Sequence, residues 1–577
     1  MSEYDLVIRG GSVHDGTGSP ARTADVGVRD GLIVEVGTIS GKGAREIAAD
    51  GALVAPGWVD IHTHYDAQAT WESTLHPSSW HGVTTVVAGN CGVGFAPVRE
   101  ADHDTLSEIM EGVEDIPGTA LHEGLRWGWE SFAEYLDALA ALDHDIDIGV
   151  YVPHDPLRLY VMGERGAARE DATDEDIELM GRLARFGIEA GALGFSTDRL
   201  AAHRTVAGDH TPAFGAAARE CIGIALEAGK AGRGAMNLVS DFDLLDEEFD
   251  MMETMVTGSG MPMSFTLVAR DWDNNKRLRG LLARLESANA RGVTIAGQVA
   301  ARPIGVLYGL QCTLNPFSTN PAFRPIQDLS HTEQATIMRD PQFRARLLAG
   351  SSDEPDFRIG GLWLDSWHLM FELTDEPDYE PRPEDSLQAR ADRAGTTPAE
   401  LAYDILLRDA GQGMIYVPLT NYHGNLDVVR EMIQHPNTLP GLSDGGAHVG
   451  AICDASFPTT LLQYWGRDRP YDRLDVPFLI EQQCSRTARF LGLNDRGVLA
   501  PGFRADINVI DFENLRVRRP EVHFDLPAGG RRLMQRADGY LHTFVRGTET
   551  YASGEATGAL PGRLVRSGRT IDDARDR

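Results

Sequence analysis

Eight short runs of apolar, β-type residues alternate with longer segments of helical periodicity along most of this chain. They cover residues 58–62, 84–88, 148–152, 192–196, 234–238, 263–267, 293–298 and 439–443. Strands that alternate with helices are typical of repeated βα units and a parallel sheet. The pattern therefore predicts an α/β chain folded as a TIM-like (β/α)₈ barrel, although a further apolar run at 414–419 leaves the strand count open.

The two ends of the chain have a different texture, with short strands broken by glycine. Such runs cover residues 5–9, 24–28 and 32–36 near the start and 504–511 and 543–547 near the end. We expect residues 1–55 and 486–577 to form one small, discontinuous β-sandwich domain, and residues 56–485 to form the barrel. The long interval of about 304–438 then reads as an insertion, which we expect to cover the site as a lid.

The charge balance excludes some classes of partner. The formal net charge is -33 and the isoelectric point is near 4.9, so nucleic acid and anionic membranes would be repelled. The start of the chain shows neither a basic segment nor an apolar signal segment, and five scattered cysteines fit reduced thiols better than a disulfide framework. We expect a cytoplasmic protein that acts on a small molecule, and the oligomeric state stays open.

Candidate ligands for a metal ion follow three of the predicted strands. His62 and His64 are one residue apart, so their side chains project to the same side of the strand. Cys91 follows the second run and Asp444 follows the last, and chemistry in such barrels lies at the carboxyl ends of strands. A thiolate and two imidazoles bind zinc well, and Asp444 can both bind the metal and accept a proton. Each residue also has a plain alternative, since histidine pairs occur on surfaces and a small cysteine packs well in a core.

Longer motifs resemble the amidohydrolase superfamily, and within it the D-aminoacylase (N-acyl-D-amino-acid deacylase) group. The matching segments are APGWVDIHTH (55–64), TTVVAGNCGVGFAP (84–97), GALGFST (191–197) and DRGVLAPGFRAD (495–506). The resemblance implies a barrel, a β-sandwich made by both termini, and hydrolysis of an amide by metal-activated water. It also implies ligand positions for His62, His64, Cys91 and Asp444.

The chain departs from this family at positions that hold a second metal. The family has histidines at the ends of strands five and six, where this chain reads MNLVS (236–240) and SFTLV (264–268). Many relatives also have a carboxylated lysine after strand four, and the lysines of this chain are Lys42, Lys230 and Lys276, all elsewhere. We therefore predict one Zn²⁺ per chain, or an altered site completed by His154 or His203.

Four residues near strand ends are candidates for binding substrate: His154, Arg199, His203 and Arg302. Arginine grips a carboxylate through two parallel hydrogen bonds, as an acylated amino acid would require. The alternative for each is a structural hydrogen bond or ion pair.

The leading functional hypothesis is a metal-dependent amidohydrolase that cleaves a linear amide, an N-acyl amino acid (N-acyl-D-amino acids included) or a related conjugate. Asp444 acts as general base and then as general acid. Two alternatives stay open: a hydrolase of cyclic amides or lactones, and a metal-poor binding protein of the same fold.

Overall fold

The structure is a computed structural model that describes residues 3–270, 275–351, 354–356, 362 and 364–568. Its strands are β1 (Tyr4–Val13), β2 (Arg22–Arg29), β3 (Leu32–Gly37), β4 (Gly43–Ala48), β5 (Leu53–Pro56), β6 (Trp58–Asp60), β7 (Val83–Ala88), β8 (Asp147–Val150), β9 (Val152–Pro153), β10 (Gly194–Arg199), β11 (Ala235–Ser240), β12 (Met263–Thr266), β13 (Ile295–Val299), β14 (Gly305–Gly309), β15 (Phe371–Leu373), β16 (Met414–Pro418), β17 (Thr438–Pro440), β18 (Ile507–Ile510), β19 (Arg516–Val517), β20 (Glu521–Leu526), β21 (Gly530–Met534), β22 (Ala537–Asp538), β23 (Tyr540–Val545), β24 (Thr548–Ala552) and β25 (Glu555–Ala556).

The α-helices of the described residues pack around and between these strands. They are α1 (His103–Glu114), α2 (Gly118–Gly124), α3 (Phe132–Ala140), α4 (His154–Met162), α5 (Glu164–Ala167), α6 (Asp174–Ala190), α7 (Ala218–Ala228), α8 (Leu245–Ser259), α9 (Lys276–Ala290), α10 (His331–Met338), α11 (Pro341–Ala349), α12 (Leu387–Ala394), α13 (Pro398–Leu406), α14 (Asp427–Gln434), α15 (Phe457–Gln463), α16 (Val476–Glu481) and α17 (Thr487–Phe490). No helix in the described part of the chain is both long and apolar enough to cross a membrane.

Two parallel sheets form the centre of the molecule. One has the strand order β6-β7-β8 and the other has the order β9-β10-β11-β12-β13-β17. Tyr151 alone separates β8 from β9, so the two sheets follow each other along one strand. Each of the eight predicted runs overlaps at least one of these strands, and the fold is an α/β fold like a TIM barrel. The strands are buried on both faces, as all six residues of β7 show, because helices and side chains cover both sides of the sheet.

The remaining predicted apolar run, at 414–419, lies outside the parallel sheets. It contains β16, which pairs antiparallel with β14 and β15. These strands and helices α10–α14 lie between β13 and β17, and part of this inserted segment packs around its own apolar cluster, which includes Tyr308, Phe317 and Ile415. The insertion therefore has a core of its own.

Strands from both ends of the chain share one mixed sheet, in which most neighbouring strands are antiparallel. Its order is β25-β24-β23-β18-β5-β1-β2-β3, with β4 beside β1. The ends meet where β18 pairs with β5, as in the pairing of Asn508 with Ala55. Buried ion pairs attach this region to the parallel strands, because Arg496 and Arg504 each lie 2.7 Å from the Asp147 carboxylate. The division into two domains stays a prediction, and residues 569–577 lie outside the described residues.

Candidate metal centre

Three of the predicted ligands meet at the carboxyl ends of the first two parallel strands. His62 and His64 follow β6, and Cys91 follows β7. One donor atom from each lies within 4.8 Å of the others, and all three residues are buried. The Cys91 Sγ is 3.3 Å from the His62 Nε2. Two imidazoles and a thiol thus face one point.

Asp444 completes the cluster. It follows β17, the last of the parallel strands along the chain. Its Oδ1 lies 3.4 Å from the His62 Nε2 and 3.8 Å from the His64 Nε2. Two backbone hydrogen bonds fix this arrangement: Asp444 N–H donates to the His62 carbonyl, and His64 N–H donates to the Gly445 carbonyl. The ends of the first and last parallel strands are therefore tied together at the cluster.

The donor atoms match what zinc requires. Bonds of about 2.0–2.1 Å to nitrogen or oxygen and about 2.3 Å to sulfur, at tetrahedral angles, place neighbouring ligand atoms about 3.3–3.6 Å apart. The spacings from His62 Nε2 to Cys91 Sγ and to Asp444 Oδ1 are 3.3 and 3.4 Å. Among the described residues, the Asp444 Oδ1 is buried and has no hydrogen-bond partner. The residues present therefore fit one zinc ion.

Burial shapes the protonation of these groups. It lowers the pKa of His62 to about 4 and that of His64 well below its usual value, so both imidazoles are neutral and offer a lone pair. Burial also raises the pKa of Asp444 to about 7, and burial together with the Asp444 charge raises the pKa of the Cys91 thiol. A cation among these groups would reverse the last two effects, because it stabilises the thiolate and the carboxylate.

Three residues of the site have a left-handed backbone conformation, which residues other than glycine rarely adopt. Their φ angles are +54° at Cys91, +48° at Asp444 and +48° at His448. Such left-handed residues cost about 1–2 kcal/mol each and persist where the surrounding structure imposes them. At a cost in stability, these conformations accompany the placement of Cys91 and Asp444 in the cluster and of His448 at the cavity wall.

Two further buried residues contact the outer nitrogens of the histidines, and neither was predicted from the sequence. Gln298, on β13, accepts a hydrogen bond of 2.5 Å from the His62 Nδ1. Glu114, the last residue of α1, has its Oε1 3.1 Å from the His64 Nδ1 and its Oε2 3.8 Å from the His448 Nε2. One sequence signal pointed to Glu114: it lies four residues after Met110 and one after Val113, on the apolar side of its helix, where an acid is out of place.

The strand positions where the family has histidines carry smaller polar residues that act on the cluster indirectly. On β11, the Asn237 Oδ1 accepts a hydrogen bond of 3.2 Å from the Cys91 backbone N–H. On β12, the Ser264 Oγ accepts one of 2.9 Å from the Gln298 amide. Both side chains are buried. Their hydrogen bonds support Cys91 and Gln298.

A cavity of about 230 Å³ opens beside the cluster. Its wall is mainly aliphatic, and it is lined by His62, His64, Cys91, Glu114, Leu200, His203, Val239, Val268, Arg270, Ile304, Leu419, Asp444 and His448, among others. The His203 Nδ1 lies 3.1 Å from the Asp198 carboxylate. Burial alone would lower the pKa of His203, but Asp198 outweighs it and the pKa is raised. The cavity thus pairs neutral histidines at the cluster with a more basic one across from it.

Of the four predicted substrate-binding residues, His203 lines the cavity; the other three are not among its described lining residues. His154 is fully buried between Thr197 and Glu220, with ring nitrogens 2.8 and 3.0 Å from their oxygens. The structure therefore places it in a buried hydrogen-bond network and not at the cavity wall.

The two predicted arginines are also engaged elsewhere. Arg199 donates a hydrogen bond of 2.6 Å to the Ala216 carbonyl. Arg302 is buried, donates to Asp454 over 2.7 Å and stacks on the Tyr379 ring at 3.8 Å. Its guanidinium links the end of β13 to the segment after β17, and the structure does not bring it to the cluster.

Comparison with known proteins places this chain among hydrolases. The model of the amidohydrolase family named Amidohydro_3 matches residues 45–551. N-acyl-D-glutamate deacylase from Alcaligenes xylosoxydans xylosoxydans is 27% identical over 100% of this chain and 99% of that protein.

Two solved structures share the fold. A D-aminoacylase structure, described with a binuclear metal centre, has a TM-score of 0.65 at 22% identity and covers 98% of this chain and 100% of that one. N-acyl-D-glutamate deacylase from Bordetella bronchiseptica, complexed with zinc and a phosphonate inhibitor, has a TM-score of 0.63 at 23% identity and covers 98% and 99%. At these identities the likeness supports the fold.

Proposed function

The chain belongs to the amidohydrolase family, and from that premise we propose that it is a metal-dependent hydrolase of N-acyl amino acids. The resemblance predicted from the sequence motifs is thereby confirmed at the level of the family. The observation that carries the proposal is the convergence of His62, His64, Cys91 and Asp444 on one buried cavity. The similarity to N-acyl-D-glutamate deacylase along the whole chain supports a linear amide as substrate.

We propose that His62, His64, Cys91 and Asp444 hold one Zn²⁺ per chain. The donor types and spacings support zinc, as does the zinc in the related Bordetella bronchiseptica deacylase. When bound, the ion supplies Lewis-acid polarisation of the amide carbonyl and lowers the pKa of water. Asn237 and Ser264, in place of the family histidines, support a single ion.

Asp444 has the position for proton transfer. Its carboxylate reaches both histidines and lines the cavity in which the substrate would lie. We propose that it takes a proton from the attacking water and returns it to the nitrogen of the leaving amine. The left-handed backbone at this residue and its tie to the His62 carbonyl hold the carboxylate in place for both steps.

His203 is proposed to bind the anionic part of the substrate. Asp198 holds its Nδ1 and favours its protonated form, so the ring can present positive charge to the cavity. Arg270 lines the same cavity and is itself held by Asp241 at 3.1 Å. Both can bind a carboxylate, while the aliphatic wall excludes water from the scissile bond.

Several finer features belong to the same proposal. We propose that the two parallel sheets close into one eight-stranded barrel, and that residues 1–55 and 486–577 form a separate β-sandwich domain beside residues 56–485. We further propose that the protein works in the cytoplasm on small molecules, without nucleic-acid or membrane partners. The net charge of -33 supports the absence of nucleic-acid and anionic-membrane partners.

The test is hydrolysis of a substrate panel by zinc-loaded protein. The panel contains N-acetyl-D- and N-acetyl-L-amino acids with apolar and acidic side chains, a cyclic amide and a lactone. We expect turnover of a linear N-acyl amino acid and none by His62→Ala or Asp444→Asn. Turnover of the ring substrates alone would replace the proposal with a cyclic amide or lactone hydrolase. Absence of both bound metal and turnover of the whole panel would favour the metal-poor binding protein.

A further inference from the structure

Glu114 is a buried carboxylate in contact with the outer side of the proposed metal cluster. Its side chain is 1% exposed, and its Oε1 lies 3.1 Å from the His64 Nδ1, a buried nitrogen that makes no hydrogen bond among the described residues. Its other oxygen, Oε2, lies 3.8 Å from the His448 Nε2 and has no hydrogen-bond partner among the described residues. An acid this deeply buried is costly unless something uses its charge.

The position of Glu114 relative to the His64 ring excludes it as a ligand of the same ion. The His64 Nε2 faces Asp444, whereas Glu114 is on the side of Nδ1. A carboxylate on the far nitrogen of a metal-binding histidine fixes the tautomer and the orientation of the ring.

Helix α1 holds Glu114 rigidly. Leu106, Ile109, Met110 and Val113 bury the face of the helix next to it. The following residue, Asp115, ends the helix in a left-handed conformation, and its carboxylate accepts a hydrogen bond of 3.1 Å from the Gly450 backbone. The end of α1 is thus anchored to the loop after β17, which carries Asp444 and His448.

We propose that Glu114 is a positioning residue: when the metal is bound, its carboxylate accepts a hydrogen bond from the Nδ1–H of His64, which the 3.1 Å separation allows, and so presents the His64 Nε2 to the metal. This inference rests on the proposed metal site and deepens it. With the positive charge of a metal nearby, Glu114 would be an ionised acceptor for His64, whereas His62 has a neutral acceptor in Gln298. Because a carboxylate raises the basicity of the ring more than an amide does, Glu114 strengthens the bond from His64 to the metal.

The test compares metal binding to apoprotein variants, independently of catalysis. Wild type, Glu114→Gln and Glu108→Gln are stripped of metal, and Zn²⁺ affinity is measured by competition with a chromophoric chelator. Glu108 is an exposed acid on the same helix and serves as the control. We expect Glu114→Gln to bind zinc about 10–100-fold more weakly and Glu108→Gln to match wild type. Affinity of Glu114→Gln within threefold of wild type would overturn the inference.

Two further measurements separate positioning from a purely structural role. Thermal unfolding of the apoprotein should show Glu114→Gln close to wild type, because glutamine has the shape of glutamate and brings no charge into the buried site. A structural role predicts a large loss there and would contradict the inference. The visible spectrum of the Co²⁺ form should shift in Glu114→Gln, since one ligand changes orientation or basicity. If wild type itself binds neither metal, the proposed metal site fails first, and that result is distinct from equal binding by wild type and variant.

Discussion

Gln298 offers a quantitative test of how the protein prepares His62 for metal binding. Its Oε1 accepts a hydrogen bond of 2.5 Å from the His62 Nδ1, and both residues are buried. A metal on Nε2 requires the ring proton to stay on Nδ1. We therefore predict that Gln298→Met, which keeps the length of the side chain and removes the acceptor, weakens metal binding.

The size of the loss in metal affinity depends on whether the missing acceptor destabilises the metal-free or the metal-bound protein. Without metal, the His62 proton can move to Nε2, which faces the Asp444 carboxylate at 3.4 Å, so the apoprotein loses little. With metal bound, the proton must remain on a buried Nδ1 without a partner, which costs about 1–3 kcal/mol. Since about 1.4 kcal/mol is a factor of ten, the dissociation constant should rise about 5- to 150-fold.

The assay is chelator competition on the apoprotein, with Gln412→Met as the control because Gln412 is exposed. Urea unfolding of the metal-free form accompanies it, to show that the loss is in binding and not in folding. A dissociation constant within threefold of wild type would refute the reasoning, as would an equal loss in Gln412→Met.

Further predictions concern the stability of the metal-free protein, measured by urea unfolding. Asp147→Asn should cost about 1–3 kcal/mol, because it removes the buried carboxylate that Arg496 and Arg504 share, while Asp495 and Asp506 still pair with them. No loss of stability would contradict this. Burial lowers the pKa of His81 to about 4, so the folded chain binds fewer protons than the unfolded chain as the pH falls below 6.5, and its stability drops. Between pH 7 and 5, wild type should therefore lose about 2 kcal/mol more of its unfolding free energy than His81→Gln does. Equal losses in the two proteins would contradict this. Asp444→Gly should be about 1–2 kcal/mol more stable than Asp444→Ala, because glycine relieves the left-handed backbone, and the reverse order would show that the strain is absent.

The parallel strands were predictable because they are buried on both faces and read as continuous apolar runs. The run at 414–419 has the same composition but belongs to another sheet, since its partners β14 and β15 lie far away in the chain. The ligand candidates were predictable because they directly follow strands. Glu114 was not, because its contact with His64 spans fifty residues and depends on where α1 packs. Arg302 shows the converse: it follows a strand, yet only tertiary packing reveals that Asp454 holds it.

The central claim is a single metal ion held by His62, His64, Cys91 and Asp444. The most direct test is elemental analysis of protein purified without chelator, with His62→Ala, Cys91→Ala and Asp444→Ala beside wild type. We expect about one zinc per chain in wild type, its loss in His62→Ala, and reduced content in the other two. Two ions per chain, or one that survives in His62→Ala and Cys91→Ala alike, would contradict the account.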